Sequence, residues 1–184
     1  MNSLTTVTRD SSTILTLEEA KTWLRVVGND EDTLISAILK GAVAYAENYL
    51  NKTIGYNSYV MSLDYFSPTI FLMRPPVTTI SKIEYIDTNG DTVELDLNIT
   101  TFDSDSGRLM LKAGEIYPET ANQGFPIRIH YTCDGMHSEK DADDVLDAIK
   151  LTLTYRYDYR DDPNQRWQKA TDNILAPLRI IPFD

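Results

Sequence analysis

One cysteine, Cys133, in 184 residues excludes an intrachain disulfide, and a fold that does not need oxidation suits a reducing compartment. Histidine is nearly as scarce, with only His130 and His137. That removes the commonest proton shuttle and metal ligand from most catalytic schemes. No apolar run approaches the roughly 20 residues that cross a bilayer, so no membrane partner is expected. The opening MNSLTTVTRDSSTIL has neither the basic start nor the apolar core of a secretory leader, and residues 1–15 read as a Ser/Thr-rich arm. Basic residues are outnumbered 17 to 28, giving a net charge of −11, and no Lys/Arg cluster is present. Proteins that grip nucleic acid through its phosphates are normally basic on at least one face. The balance here favours solubility and protein partners instead. There is no internal repeat and no low-complexity block. A chain of this length forms one domain, or one domain carrying an insertion, and buries roughly 70% of its unfolded surface without staples.

What is present begins at Thr16. Thr16-Leu17-Glu18-Glu19 has the capping-box spacing, in which hydroxyl and carboxylate each satisfy a free backbone N–H. Ala20, Trp23, Leu24 and Val27 follow at the spacing of one helical face, with Gly28 as the stop. Asn29 or Asp30 is a suitable cap for a second helix, and Glu31 and Asp32 favour its positive end. Ile35, Ile38, Leu39, Ala42, Tyr45, Ala46 and Tyr49 mark its buried face. This helix runs to Leu50 or Asn51, roughly 30 Å at 1.5 Å per residue. Gly41 and the alanines at 42, 44 and 46 admit a second helix closely.

From Ser58 to Cys133 helical periodicity disappears. Residues 59–63, 69–73, 108–111 and 126–131 read as strands. Ile80, Lys82, Glu84 and Ile86 alternate with Ser81, Ile83, Tyr85 and Asp87, leaving the inward face open. Pro75-Pro76 breaks the chain. Asn89-Gly90 predicts a type I′ hairpin returning through residues 92–95. Helical period resumes near Asp141 with Ala142, Val145, Leu146, Ile149, Leu153 and Tyr157. A shorter helix follows over about 165–175, then an apolar, extended tail. The expected fold is α+β, a discontinuous helical bundle of two N-terminal and two C-terminal helices with an inserted antiparallel β region. Its parts are an arm at 1–15, a helical core at 16–57 and 134–177, the β insert at 58–133, and a tail at 178–184.

Chemistry-bearing patterns are few. Cys133, His130 and His137 lie close in sequence, but a nucleophile needs a base and an orienting group in a pocket, and zinc needs further ligands. Asp103-Ser104-Asp105-Ser106-Gly107 invites a calcium reading, yet its spacing is not that of a calcium-binding loop, and these are ordinary turn residues. The acids at 141, 143 and 144 suit a solvated helix N-terminus. Tyr155, Tyr157 and Tyr159 cannot share one helical face as a stacking platform. No catalytic residue, metal or cofactor is assigned, and the chain is not expected to be an enzyme.

Three stretches carry a resemblance: Leu17-Glu18-Glu19-Ala20-Lys21-Thr22-Trp23-Leu24-Arg25-Val26, Asp30-Glu31-Asp32-Thr33-Leu34-Ile35, and Ala42 through Ala46-Glu47-Asn48-Tyr49. Their order and spacing resemble the opening of phage head–tail connector proteins. Arg74-Pro75-Pro76-Val77, Ile83-Glu84-Tyr85-Ile86-Asp87 and Leu175-Ala176-Pro177-Leu178-Arg179 resemble later parts of the same family. The resemblance implies a non-enzymatic adaptor at the virion head–tail junction, assembled in the host cytoplasm, in a ring of about twelve copies with head-to-tail contacts. It further implies three partners: the portal, a downstream neck or tail protein, and double-stranded DNA that passes without sequence-specific binding.

The apolar tail, Leu178, Arg179, Ile180, Ile181, Pro182 and Phe183, is the expected contact with the portal or a neighbouring copy, because an exposed apolar terminus is otherwise a liability. Gly41, Ala42, Tyr45, Tyr49 and Tyr157 are the expected subunit contact. The competing reading is a carbohydrate- or protein-binding module presenting Tyr59, Tyr65, Phe66 and Tyr85 as an exposed aromatic platform.

Overall fold

The computed structural model describes residues 2–10, 14–135, 139–160 and 167–180. The strands are β1 (Asn2–Asp10), β2 (Tyr56–Leu63), β3 (Thr69–Phe71), β4 (Thr79–Ile86), β5 (Thr92–Glu94), β6 (Thr100–Asp103), β7 (Arg108–Leu111) and β8 (Ile127–Asp134). The α-helices are α1 (Leu17–Leu24), α2 (Asp32–Leu50), α3 (Glu139–Asp158) and α4 (Trp167–Leu175). One-turn 3-10 helices lie at Leu97–Ile99 and Ala176–Leu178. The fold is α+β and divides into two compact units, Met1–Arg9 with Tyr56–Gly135 and Asp10–Gly55 with Met136–Asp184.

The helical unit starts with the capping box. The Glu19 N–H donates to the Thr16 hydroxyl at 3.2 Å, and the Thr16 N–H donates to the Glu19 carboxylate at 2.8 Å. The helix stops earlier than Gly28. Arg25 takes φ 58, and the N–H groups of Arg25 and Val26 donate to the carbonyls of Thr22 and Lys21. This closure satisfies the last turn without a glycine. Val27, expected on the buried face, is therefore beyond the helix and 98% exposed. Neither Asn29 nor Asp30 caps α2. The Asn29 side-chain oxygen is taken by the Lys21 ammonium at 2.9 Å, and Glu31 precedes the first helical residue. Lys21 also meets Asp32 at 2.8 Å, a contact that holds its ammonium above the usual lysine range.

The α2 residues Ile35, Leu39, Ala42, Val43, Ala46 and Leu50 pack with Val145, Ala148, Ile149 and Leu153 of α3 and Leu175 of α4. Each fully buried aliphatic side chain contributes about 1.5–3 kcal/mol relative to exposure. Two halves of the sequence thus share one core, with the β region between them in the chain.

The β unit has a five-stranded sheet in the order β1-β2-β8-β4-β5 and a three-stranded sheet in the order β3-β7-β6. β2 and β8 are antiparallel, with Tyr59 opposite Tyr131, Met61 opposite Ile129 and Leu63 opposite Ile127, all buried. β4 explains its own ambiguous pattern. Its register on β8 shifts between Ile80 and Lys82, so Ile80 and Ile83, three apart, both face the core. A β-bulge allows such odd spacing by letting one residue go unpaired.

Two further expectations change. The Asn89-Gly90 turn is not type I′, because only Gly90 has positive φ (90°). The Gly90 N–H donates to the Asp87 carbonyl at 3.1 Å, and the Asp87 N–H donates to the Asp91 carbonyl at 2.9 Å. This is a three-residue loop with glycine in the left-handed position, reinforced by the Asp87 carboxylate, which accepts the Asn89 and Asp91 N–H groups. The second change is at the arm, where Asn2–Asp10 is an edge strand beside β2. The Thr8 and Ser58 hydroxyls lie 2.6 Å apart. Runs of threonine with valine suit an extended, pleated backbone.

Candidate functional site

A helix end leaves its last carbonyls without intrahelical partners. At the end of α2 the tail supplies one. The Ile180 N–H donates to the Leu50 carbonyl, and the Asn51 side-chain amide donates to the Ile180 carbonyl, both at 3.0 Å. Asn51 takes φ 55, the left-handed conformation that turns the chain after the helix. Leu178 packs on the helical core, and the Arg179 guanidinium lies over the Tyr49 ring at 5.2 Å. The first half of the expected partner-binding tail is thus a stem anchored on its own helical unit. Ile181, Pro182 and Phe183 lie outside the described residues.

From that stem a ladder of rings and cations runs along α2. Tyr49 stacks on Tyr45 at 6.4 Å, and Tyr45 meets Trp167 of α4 edge-on at 4.7 Å. Trp167 carries the Arg156 guanidinium of α3 at 4.5 Å. Cation–π contacts of this kind contribute about 0.5–1 kcal/mol when exposed and more when desolvated. Gly41 makes room for Arg156, since a Cβ there would lie 2.8 Å from the guanidinium nitrogen. The Tyr45 hydroxyl donates to the Asp172 carboxylate at 2.6 Å. Burial, then that carboxylate, pushes the Tyr45 phenol well above its usual range, and desolvation lowers Arg156.

The residues expected at a subunit contact therefore have internal roles. Ala42 is fully in the core, Gly41 seats Arg156, and the Tyr157 hydroxyl donates to Glu31. Tyr45 and Tyr49 keep partly exposed edges. Trp167, Arg156 and Asp172, which complete the ladder, escape sequence reasoning because they come from other helices. The only signal visible in the sequence is the four-residue spacing of Tyr45 and Tyr49. A second surface feature, a groove between α1 and α3, holds Trp23, 51% exposed, which donates to the Thr154 hydroxyl at 2.8 Å under the Lys150 ammonium.

The four aromatic residues of the expected platform do not share one exposed surface. Tyr59 is in the core, Phe66, half-buried, stacks on Tyr117 at 4.3 Å and meets Tyr85 edge-on at 6.1 Å, and Tyr65 is 70% exposed. Cys133 faces the core, while His130, three residues away on the same strand, sits on the other face with Glu84 at 2.9 Å. His137 lies outside the described residues. The Asp103 carboxylate closes its own turn, accepting the Ser106 hydroxyl at 2.6 Å and the Asp105 N–H at 3.2 Å. These bonds, that from Ser106 foremost, hold its pKa below the usual carboxylate range. Among the described residues no three His, Cys, Asp or Glu gather to hold a metal, and no helix is long and apolar enough to cross a membrane.

No curated protein matches the sequence. Solved structures of the same fold do exist. A chain from the neck of a native GTA particle computed with C12 symmetry superposes with a TM-score of 0.78 at 19% identity, covering 99% of this chain and 97% of that one. A chain from the neck of an empty GTA particle computed with C6 symmetry gives 0.78 at 18% identity, over 99% and 97%. One from the virion of a native gene transfer agent gives 0.78 at 18% identity, over 98% and 97%. Residues 14–108, just over half of the chain, match the family described as phage gp6-like head-tail connector protein. The chain belongs to the phage gp6-like head-tail connector family.

Proposed function

We propose that this protein is a non-enzymatic adaptor that assembles as a ring of about twelve copies below the portal of a tailed phage, with head-to-tail contacts between copies. The ring extends the DNA channel, lets double-stranded DNA pass without sequence-specific binding, and gives the next neck or tail protein a docking surface. Family membership is the observation that carries this reading. The twelvefold symmetry of a GTA neck structure that contains the same fold supports the copy number. The net charge of −11 suits a channel wall that does not hold phosphate.

Within this reading the stem at residues 178–180 fixes where the tail leaves the helical unit, and Ile181, Pro182 and Phe183 reach the portal or an adjacent copy, in the manner of an added strand. The exposed flank of the ladder, Tyr49 with Arg179, is the proposed subunit contact on the helical side, and Tyr45 adds its exposed edge. Deleting residues 181–184 leaves the Ile180 anchors in place. The deleted protein is expected to keep its melting temperature and lose co-sedimentation with portal-bearing heads. Undiminished co-sedimentation would refute the tail assignment.

A further inference from the structure

The five-stranded sheet has two edges of very different character. β5 has three residues, of which Glu94 is acidic, and Asp91 and Asp96 flank it. Charges and brevity are the usual protection of an edge. β1 has nine residues and no acid or base from Asn2 to Thr8. Of those residues only Leu4 is half-buried, packing on the β core, and Val7 is 60% exposed. No described strand pairs with the outer side of β1. A long, uncharged, exposed edge offers a row of backbone donors and acceptors that only another extended strand satisfies.

We infer that the outer edge of β1 pairs with the β5 edge of a second copy, so that sheets of successive copies join around the ring. This rests on the ring reading above. A closed ring needs two unlike surfaces on each copy, and the two ends of one sheet are such a pair. Charge selects between the possible pairings. Two β5 edges repel through their acids, and two β1 edges close a two-fold pair that cannot propagate. The uncharged β1 edge meets the acidic β5 edge without repulsion. Along β5 the backbone parity is set by Leu95, whose N–H donates inward to the Ile83 carbonyl. The N–H groups of Thr92 and Glu94 therefore point outward, where a strand from the next copy accepts them.

The test is the protein concentration at half-assembly, read by mass photometry of the full-length protein alone and with portal-bearing heads. Val7→Asp, which places a like charge against the acidic edge, is expected to raise it tenfold or more. Val7→Lys is expected to raise it far less. Thr92→Pro removes one outward donor and is expected to raise it while the β-unit melt stays at the wild-type value. Wild-type assembly of Val7→Asp, or equal weakening by both charge signs, would overturn the pairing. So would intact Val7→Asp rings that no longer dock on heads, because the occupant of β1 would then be the portal. A wild-type protein that stays monomeric even with portal would refute the ring reading itself, and this inference with it.

Discussion

The helical unit and the β unit are held together in opposite ways. In the helical unit each helix is specified locally, and its core joins both sequence neighbours and helices from opposite halves of the chain. α2 ends at Leu50 and its main packing partner α3 begins at Glu139. In the β unit each strand is defined only by what it pairs with, and the central pair, β2 with β8, is itself distant in sequence. The bulge in β4 and the edge strand β1 both take their form from neighbours. Capping, period and left-handed closure thus specify a helix without naming its contact, whereas a strand's inward face is fixed only when its register is known.

The sharpest way to break this comparison is to hollow each core in turn. Ile149→Ala in α3 and Ile129→Ala in β8, both fully buried, should each cost about 2–5 kcal/mol. Hydrogen exchange should show Ile149→Ala releasing helical amides first and Ile129→Ala releasing β amides first. Equal release of both sets by either variant would mean one core rather than two.

A smaller effect is expected at Gly107, which has φ 66 and would place a Cβ 2.8 Å from the Leu72 carbonyl oxygen. Gly107→Ala should destabilise the β unit by about 1–3 kcal/mol, visible as a lower denaturation midpoint. The helical counterpart is the cap. Thr16→Ala should cost about 1 kcal/mol and fray the first turn of α1, seen as faster exchange of the Glu19 amide. An unchanged Glu19 rate would show that the capping box is dispensable.

The smallest effect is acid sensitivity. Asp87 is held below the usual carboxylate range chiefly by the Asp91 N–H, Glu84 chiefly by Lys82, and Asp103 chiefly by Ser106. A depressed folded pKa means stability that is complete above the unfolded value and lost as pH falls through the folded one. The β unit should therefore weaken as pH drops below the ordinary carboxylate range, and Asp87→Asn should flatten that slope. In the helical unit Glu19, lowered by the Thr16 backbone N–H, acts in the same direction. A β unit whose amides exchange no faster in acid than the helical ones, after correction for intrinsic rates, would contradict this account.

Legibility in the sequence follows the same division. Thr16 and Glu19 announced the start of α1, because a capping box is a four-residue event. The 3.6-residue period gave α2 and α3, including Ile35, Leu39, Ile149 and Leu153 in the core. The stop at Arg25 was hidden, since an arginine in the left-handed conformation carries no sequence signal. Asn29 was unreadable as a cap because its side chain is claimed by Lys21, eight residues back. β1 read as an arm because an uncharged Ser/Thr stretch becomes a strand only when an edge is available to it. At the candidate site the tail was visible as an apolar terminus, but its anchoring on Leu50 and Asn51 and the Trp167–Arg156 half of the ladder depend on tertiary proximity. Gly41 signalled close approach correctly in kind, although its neighbour is the Arg156 side chain of the same unit rather than another helix backbone.

The most direct test of the adaptor account is the mass of the assembly formed when the purified protein is mixed with portal-bearing heads, with a low-resolution image of the neck. The account predicts a ring of about twelve copies seated below the portal with a continuous axial channel. Monomers that ignore the portal, or a bound copy that blocks the axis, would contradict it.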